Sequence, residues 1–243
     1  MPFLAMAIPR FYCPVEIPVS GSIRLPDAAA HHAFRVLRMG RGEALAIFDG
    51  KGIEAQCRIL DAPFVEILER AMVDRESVLA VTLVQALVSN EKMDWVVQKA
   101  VELGAKSIQV VETERCTVRL SGDRARKREE HWRQVAISAC EQCGRNIVPE
   151  ILPIVPLKAW LSMPRGGKKL FLSPQGKPLR EFFRPEGEIH ILIGPEGGLT
   201  LEEEVNAASS GFKAWSLGPR ILRTETAGLA ALSALSALWG DFS

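Results

Sequence analysis

Neither sign of charge prevails in this chain of 243 residues. Its 30 basic and 29 acidic residues leave a formal charge of +1, so bulk charge selects no partner and any nucleic-acid surface has to be a local patch. Cysteine is scarce and odd in number: Cys13, Cys57, Cys116, Cys140 and Cys143 make no disulfide framework. No apolar run approaches the roughly 20 residues that span a bilayer; the longest Ala/Leu/Ser stretch runs from Gly228 to Leu238. The first residues, MPFLAMAIPR, put no basic segment ahead of their short apolar stretch, so no secretory signal is expected. Met6 reads as an alternative start, which makes residues 1–5 an upstream extension. A reducing cytoplasm is the expected location, with no membrane partner. The phosphate-binding signatures G-x-G-x-x-G and G-x-x-x-x-G-K-[ST] are absent, which argues against a standard dinucleotide site or P-loop. Four histidines with no serine or cysteine elbow leave a hydrolytic triad unsupported.

What is present is ordinary globular material: 47% hydrophobic and 24% charged residues, too apolar for intrinsic disorder. The length allows one large domain or two small ones, with a core that needs no disulfide or metal staple. Residues 10–75 read as short β segments around one helix. Leu45–Phe48 runs into Asp49-Gly50, a hairpin signal, and Gly52–Leu60 and Phe64–Met72 follow as strands. Pro26-Asp27 opens a helix with Ala30, Phe34 and Leu37 on one face.

From residue 78 the period changes. Val78–Leu87 reads as a buried strand; Met93, Val96, Val97, Ala100 and Leu103 fall at helical spacing before Gly104. Ile108–Val111 is the next strand and Asp123–Cys143 a long helix. Strands follow at Lys169–Leu172, His190–Ile193 and Ala214–Leu217, with helices at 201–210 and about 225–239. Thr200-Leu-Glu-Glu203 matches a capping box. Alternating strands and helices predict a parallel sheet covered on both faces. The boundary between the modules is expected near Asp74–Val78.

The most informative stretch is Ile191-Leu-Ile-Gly194-Pro-Glu-Gly-Gly198, a buried strand entering a glycine-rich loop and then a capped helix. Two other strands end alike, at Leu217-Gly218-Pro219-Arg220 and at Leu172-Ser173-Pro174-Gln175-Gly176. In open α/β sheets ligands bind at the carboxyl ends of strands; either these loops wall one pocket or they are three ordinary turns. In Arg223-Thr224-Glu225, Thr224 reads as an N-cap that places Glu225 in the first turn, where the helix dipole favours a carboxylate. Arg223 is a cation beside a helix N-terminus, which calls for a ligand or an acidic neighbour. Basic residues cluster at 115–128 and at Arg35, Arg38 and Arg41, either as phosphate contacts or as solvated faces. Cys140-x-x-Cys143 lies on an apolar helical stripe with no second pair, so core cysteines and no metal are expected.

Ile193-Gly-Pro-Glu-Gly-Gly198 together with Leu217-Gly-Pro-Arg-Ile-Leu-Arg-Thr-Glu-Thr-Ala227 strongly resembles the RsmE family of 16S rRNA (uracil(1498)-N(3))-methyltransferases, within the SPOUT superfamily. The resemblance extends to Lys92–Gly104, Thr113-Glu-Arg115, Glu141–Arg145, Pro9–Tyr12 and His32–Arg38, and so covers nearly the whole chain from Pro9. Cys143 departs from it, where a small residue such as serine is common. The resemblance implies an α/β fold: a SPOUT-type parallel sheet with a C-terminal deep trefoil knot over 76–243, and an N-terminal PUA-like small β-barrel over 1–75. It implies a homodimer, S-adenosyl-L-methionine as cofactor, and 16S rRNA of the small ribosomal subunit as partner. Carried over by position, the cofactor residues are Leu172, Ser173, Ile193, Gly194, Glu196, Gly197, Leu217, Gly218, Ile221, Leu222 and Thr224. Arg223 is expected to stabilise a uracil oxygen, with Glu225 as a candidate for the N3 proton and the identity of the acceptor left open. Arg10, His32, Arg35, Arg38, Arg115, Arg119 and Arg145 are expected to face RNA. The alternatives are a related SPOUT enzyme acting on tRNA or 23S rRNA, or a non-catalytic RNA-binding assembly factor.

Overall fold

The computed structural model describes residues 8–182, 184 and 186–242. The reading of residues 1–7, as unprocessed and with Met6 as an alternative start, lies outside them. The chain divides into two units: one runs to Glu76 and takes in Cys140–Val148, the other holds Ser77–Ala139 and the chain from Pro149 onward.

The first unit is a five-stranded sheet ordered β1-β3-β4-β5-β2, with β1 Arg10–Tyr12, β2 Gly21–Arg24, β3 Ala44–Phe48, β4 Ile53–Ile59 and β5 Phe64–Met72. Only the β1–β3 pair is parallel within it. Ala55, Cys57 and Ile59 alternate inward along β4, as a strand with one covered face requires, and meet Leu45, Ile47, Val65 and Ile67. The hairpin turn forms as expected: Asp49 Oδ1 accepts from the amides of Lys51 (2.7 Å) and Ile53 (3.0 Å). The expected helix is real but changes character. After α1 (Asp27–His31) it widens into a π turn, His32–Val36, closed by Leu37 N donating to His32 O at 2.9 Å. Each turn then takes an extra residue, so Leu37 leaves the expected face and is 45% exposed, while Ala29 and Ala33 sit in the core.

A buried ion cluster ties this unit together. Arg10 donates to Cys140 O (3.2 Å), Arg145 O (3.3 Å) and Asn146 Oδ1 (2.5 Å), and its guanidinium lies 3.2 Å from Glu54. Arg75 donates to the same carboxylate at 2.9 Å. Burial pushes the Glu54 carboxyl up, but the hydrogen bond from Arg75 and the charges of Arg10 and Arg75 outweigh it, so the group lies below its ordinary 4.5. A depressed carboxylate contributes stability that is present above the unfolded value and lost as pH falls through the folded one. Glu54→Gln is therefore expected to cost about 2 kcal/mol at pH 7, below the value for a fully buried pair because Arg75 is half exposed. Urea unfolding at pH 7 and again below pH 4.5 checks this; a cost that does not shrink in acid would contradict it.

The second unit is a six-stranded sheet, all parallel, in the order β11-β9-β10-β6-β7-β8. Its strands are β6 Ala80–Ala86, β7 Ser107–Glu112, β8 Glu150–Pro156, β9 Lys168–Pro178, β10 Glu188–Ile193 and β11 Lys213–Ser216. Its helices are α2 Asn90–Glu102, α3 Gly122–Cys143 (whose last turn belongs to the first unit), α4 Leu157–Ser162, α5 Leu201–Ser209 and α6 Thr224–Trp239. Burial is continuous from Val81 to Ala86 in β6 and from Ile189 to Ile193 in β10, which means both faces of the sheet are covered there and accounts for their apolar runs. Helix α6 packs on α2, β10 and β6; α4 packs on α5, β8 and β7. Strand β8 and helix α4 were not expected. Pro149, Pro153 and Pro156 obscure the strand, and they are tolerated because β8 is an edge.

A further correction concerns β9, which does not stop at Leu172. Ala214 of β11 pairs with Phe171, but the next residue, Trp215, pairs with Lys177. Residues 172–176 are thus looped out of the pairing, and the strand resumes beyond them. Among the described residues no helix is long and apolar enough to cross a membrane. None of their His, Cys, Asp or Glu side chains gather in a group of three or more that could hold a metal ion. Burial pushes the Cys140 thiol up to about 12, as for a core cysteine.

Candidate active site

The looped-out segment of β9, the turn after β10 and the loop after β11 wall one cavity of about 660 Å³ in the second unit, within the range of small-molecule sites. Leu172 and Ser173 come from β9; Ile193, Gly194, Glu196 and Gly197 from β10 and its turn. Leu217, Gly218, Ile221 and Leu222 come from the last loop, and Arg223, Thr224 and Glu225 from the start of α6. Every residue named from sequence for cofactor or chemistry thus lines the same space.

Local chemistry explains the wall. A Cβ on Gly194 would lie 3.0 Å from Leu199 N and 3.2 Å from Gly198 C, so glycine lets the turn fold back on itself without crowding its own backbone. The capping box forms: Glu203 N donates to Thr200 Oγ1 (3.2 Å) and Thr200 N to Glu203 Oε2 (2.9 Å), which fixes where the turn ends. Arg115, expected to face RNA, stands on this wall too; its Nη1 donates to Gly197 O (2.8 Å) and Leu199 O (3.3 Å).

Thr224 is not the N-cap; Arg223 is, and it makes no side-chain cap bond. The Thr224 hydroxyl is taken by tertiary partners instead, donating to Gly194 O (2.6 Å) and accepting from Gln85 Nε2 (3.0 Å). This relay locks α6 to β6 and to the turn after β10. Gln85 was missed in the sequence, although a glutamine inside a buried apolar strand is the kind of polar exception that signals a role.

Lys92 was missed as well. It lies in the first turn of α2, the wrong end of the dipole for a cation, and two carboxylates explain it. Its Nζ donates to Glu196 Oε1 at 2.8 Å and stands 3.7 Å from Glu225 Oε2. The hydrogen bond to Glu196 lifts the Lys92 ammonium above its usual range. At Glu196 burial pushes upward, but the bond from Lys92 and its charge prevail and hold the carboxyl below the usual range. Glu225 Oε2 and Trp215 Nε1 are buried with no hydrogen-bond partner among the described residues. Arg223 is exposed on the wall and makes no described ion pair.

The other RNA expectations divide. His32, Arg35 and Arg38 are exposed on the first unit, His32 edge-on to Phe11 at 5.5 Å. Arg119 is exposed on the second, donating to Glu114 O at 2.9 Å. Arg10 and Arg145 are corrections: both point inward. Arg10 serves the Glu54 cluster, and Arg145, 5% exposed, donates through Nε to Glu76 Oε2 at 2.9 Å. Their carboxylate partners lie far off in sequence, where local charge counting does not reach.

A parallel sheet with a ligand-sized cavity at its strand ends, preceded by a small β unit, is the architecture of an RNA methyltransferase with a PUA domain. The RNA methyltransferase domain model matches residues 75–236 and the RNA methyltransferase PUA domain model residues 25–68. A ribosomal RNA small subunit methyltransferase E of Buchnera aphidicola subsp. Schizaphis graminum is 34% identical over 242 residues, 97% of this chain and 98% of the relative. That of Bacillus subtilis is 33% identical, over 91% and 92%. The crystal structure of the Neisseria gonorrhoeae ribosomal RNA small subunit methyltransferase E bound to S-adenosyl methionine superposes with a TM-score of 0.91 at 45% identity, over 97% of this chain and all of the other. A putative methyltransferase of Legionella pneumophila, in complex with the same cofactor, gives 0.93 at 38%, over 97% and 99%. The chain belongs to the ribosomal RNA small subunit methyltransferase E family, and is an S-adenosylmethionine-dependent rRNA methyltransferase.

Proposed function

We propose that this enzyme methylates N3 of uracil 1498 in the 16S rRNA of the small ribosomal subunit. The observation that carries the reading is the pairing, on one cavity wall, of Arg223, which has no described partner, with Glu225, whose buried Oε2 has no hydrogen bond. Uracil N3 is a weakly acidic imide between two carbonyls. It needs a cation for a carbonyl oxygen and an acceptor for its proton, and this wall carries both. The position within the rRNA rests on the family resemblance of the motifs.

The cavity fits the cofactor. Leu172, Ile193, Leu217 and Leu222 offer apolar surface for adenine beside the backbone of Gly194 and Gly218, and Ser173, Glu196, Gly197, Ile221 and Thr224 complete the wall. When bound, S-adenosylmethionine supplies a methyl group already activated by its sulfonium. The chain's own residues then align the base and stabilise charge as it develops. Arg223 donates to a uracil oxygen; Glu225 takes the N3 proton. His32, Arg35, Arg38, Arg115 and Arg119 hold the RNA backbone, with the target base splayed out of its stack.

The finer fold follows the same reading. The PUA-like module is 1–75 and the methyltransferase domain 76–243, its last loops threaded as a trefoil knot. The order β11-β9-β10-β6 supports this, because the chain must pass from β11 back across the ends of β9 and β10 before α6 packs on β10 and β6. We place the enzyme in the cytoplasm as a homodimer. The dimer rests on the family resemblance of the motifs, and light scattering tests it.

Labelled methyl transfer from S-adenosylmethionine should be measured on small subunits lacking the modification, on naked small-subunit rRNA and on tRNA. Label in the small-subunit RNA is expected; label on tRNA alone would keep the cofactor site and overturn the substrate.

A further inference from the structure

Uracil presents an acceptor–donor–acceptor edge: O2, N3–H, O4. Its complement is an acceptor accompanied by cationic donors. The cavity holds such a set in Glu225, Arg223 and Lys92, and Lys92 is the member without a role so far. Its ammonium makes a full hydrogen bond to Glu196, at 2.8 Å, but stays 3.7 Å from Glu225 Oε2. The second distance is too long for a hydrogen bond and short enough for an ion pair.

Two carboxylates from separate elements, the turn after β10 and helix α6, therefore converge on one lysine, and only one of them is hydrogen-bonded by it. Glu225 Oε2 is buried beside this charge partner and has no hydrogen bond among the described residues. Arg115, Arg220, Arg223 and Glu204 are the other charged groups on the wall. None of them makes a described ion pair with Glu225.

We infer that Lys92 is a positioning residue for the proton step: held by Glu196, it stands against the buried Oε2 and balances the charge of Glu225, whose carboxylate accepts the proton of uracil N3. The inference rests on the reading that N3 is the atom methylated. In the step, the N3–H bond breaks and its proton goes to the Glu225 carboxylate. The electron pair stays on N3 and bonds the methyl carbon as the methyl–sulfur pair returns to sulfur. A base with a donor at C4 and no proton on N3, such as cytosine, mismatches this set at both positions.

The test uses the full chain with Lys92→Met, Lys92→Arg and Glu225→Gln. Turnover on small subunits, the methylated nucleoside, and cofactor affinity by calorimetry are all measured. Lys92→Met is expected to lower kcat about 100-fold, the lower end of a general-base contribution, with the cofactor Kd changed less than about threefold. Lys92→Arg, which keeps the charge, is expected to recover most of that loss. Lys92→Met added to Glu225→Gln is expected to cost almost nothing further, because the two act as a unit. The inference is overturned if the loss appears in cofactor Kd at undiminished kcat, if Lys92→Arg is no better than Lys92→Met, or if the Lys92 and Glu225 losses multiply. N3-methyluridine made at full rate by Lys92→Met would overturn the role of Lys92 alone. A product other than N3-methyluridine from the unmutated enzyme would overturn the reading beneath it as well.

Discussion

Replacing Arg223 with alanine is expected to lower kcat by about 100- to 1,000-fold, the scale of removing one donor from a developing oxyanion, with cofactor affinity nearly unchanged. The separation follows from geometry. Arg223 stands exposed on the cavity wall as the N-cap of α6, spends no side-chain bond on the helix, and has no described ion-pair partner. Its removal leaves the wall standing, because Thr224 holds α6 to the turn after β10 through Gly194 O, and Gln85 holds Thr224. Single-turnover rates at saturating cofactor, set beside calorimetry, separate the two quantities. Equal losses in both would remove Arg223 from the chemistry and make it a cofactor contact.

Gly176→Ala is expected to do the reverse, abolishing cofactor binding and costing about 3 kcal/mol of stability, the upper end for overpacking. A Cβ at this position would lie 2.4 Å from the Trp215 carbonyl carbon and 2.5 Å from its amide nitrogen. Both are backbone atoms in a strand pair, so no side chain can swing aside. Residue 176 ends the looped-out segment of β9, and Trp215, fully buried, begins the second stretch of β11 pairing. Forcing the strands apart there moves Leu172, Ser173 and Leu217 together. Urea unfolding and calorimetry read the two effects; a variant with unaltered melting and cofactor Kd would contradict the packing described.

The parts of this site that could be read from sequence are the parts governed by neighbours along the chain. Ile191–Gly198 announces a buried strand, a glycine-rich turn and, through Thr200 and Glu203, a capped helix, all within 13 residues. The three strand ends were visible for the same reason. The family motifs reached Lys92 but carried no role for it, and they reached Arg145 only as an RNA contact. Lys92 acquires its meaning from residues 196 and 225, and Arg10 and Arg145 lose their expected surface to Glu54 and Glu76. Such partners are chosen by topology. Strand β8 was hidden by prolines that only an edge position excuses, and the bulge in β9 is a property of its pairing with β11. Thr224 shows the limit of cap rules most sharply: its hydroxyl suits a cap, yet buried partners took it first.

The most direct measurement is the identity of the methylated nucleoside, by digestion and mass spectrometry of small-subunit RNA labelled by the purified enzyme. N3-methyluridine at a single site is the expected product. Methylation at a ribose 2′-oxygen or at a ring carbon would contradict the assignment of Arg223 and Glu225 to an imide edge, while leaving the cofactor cavity as described.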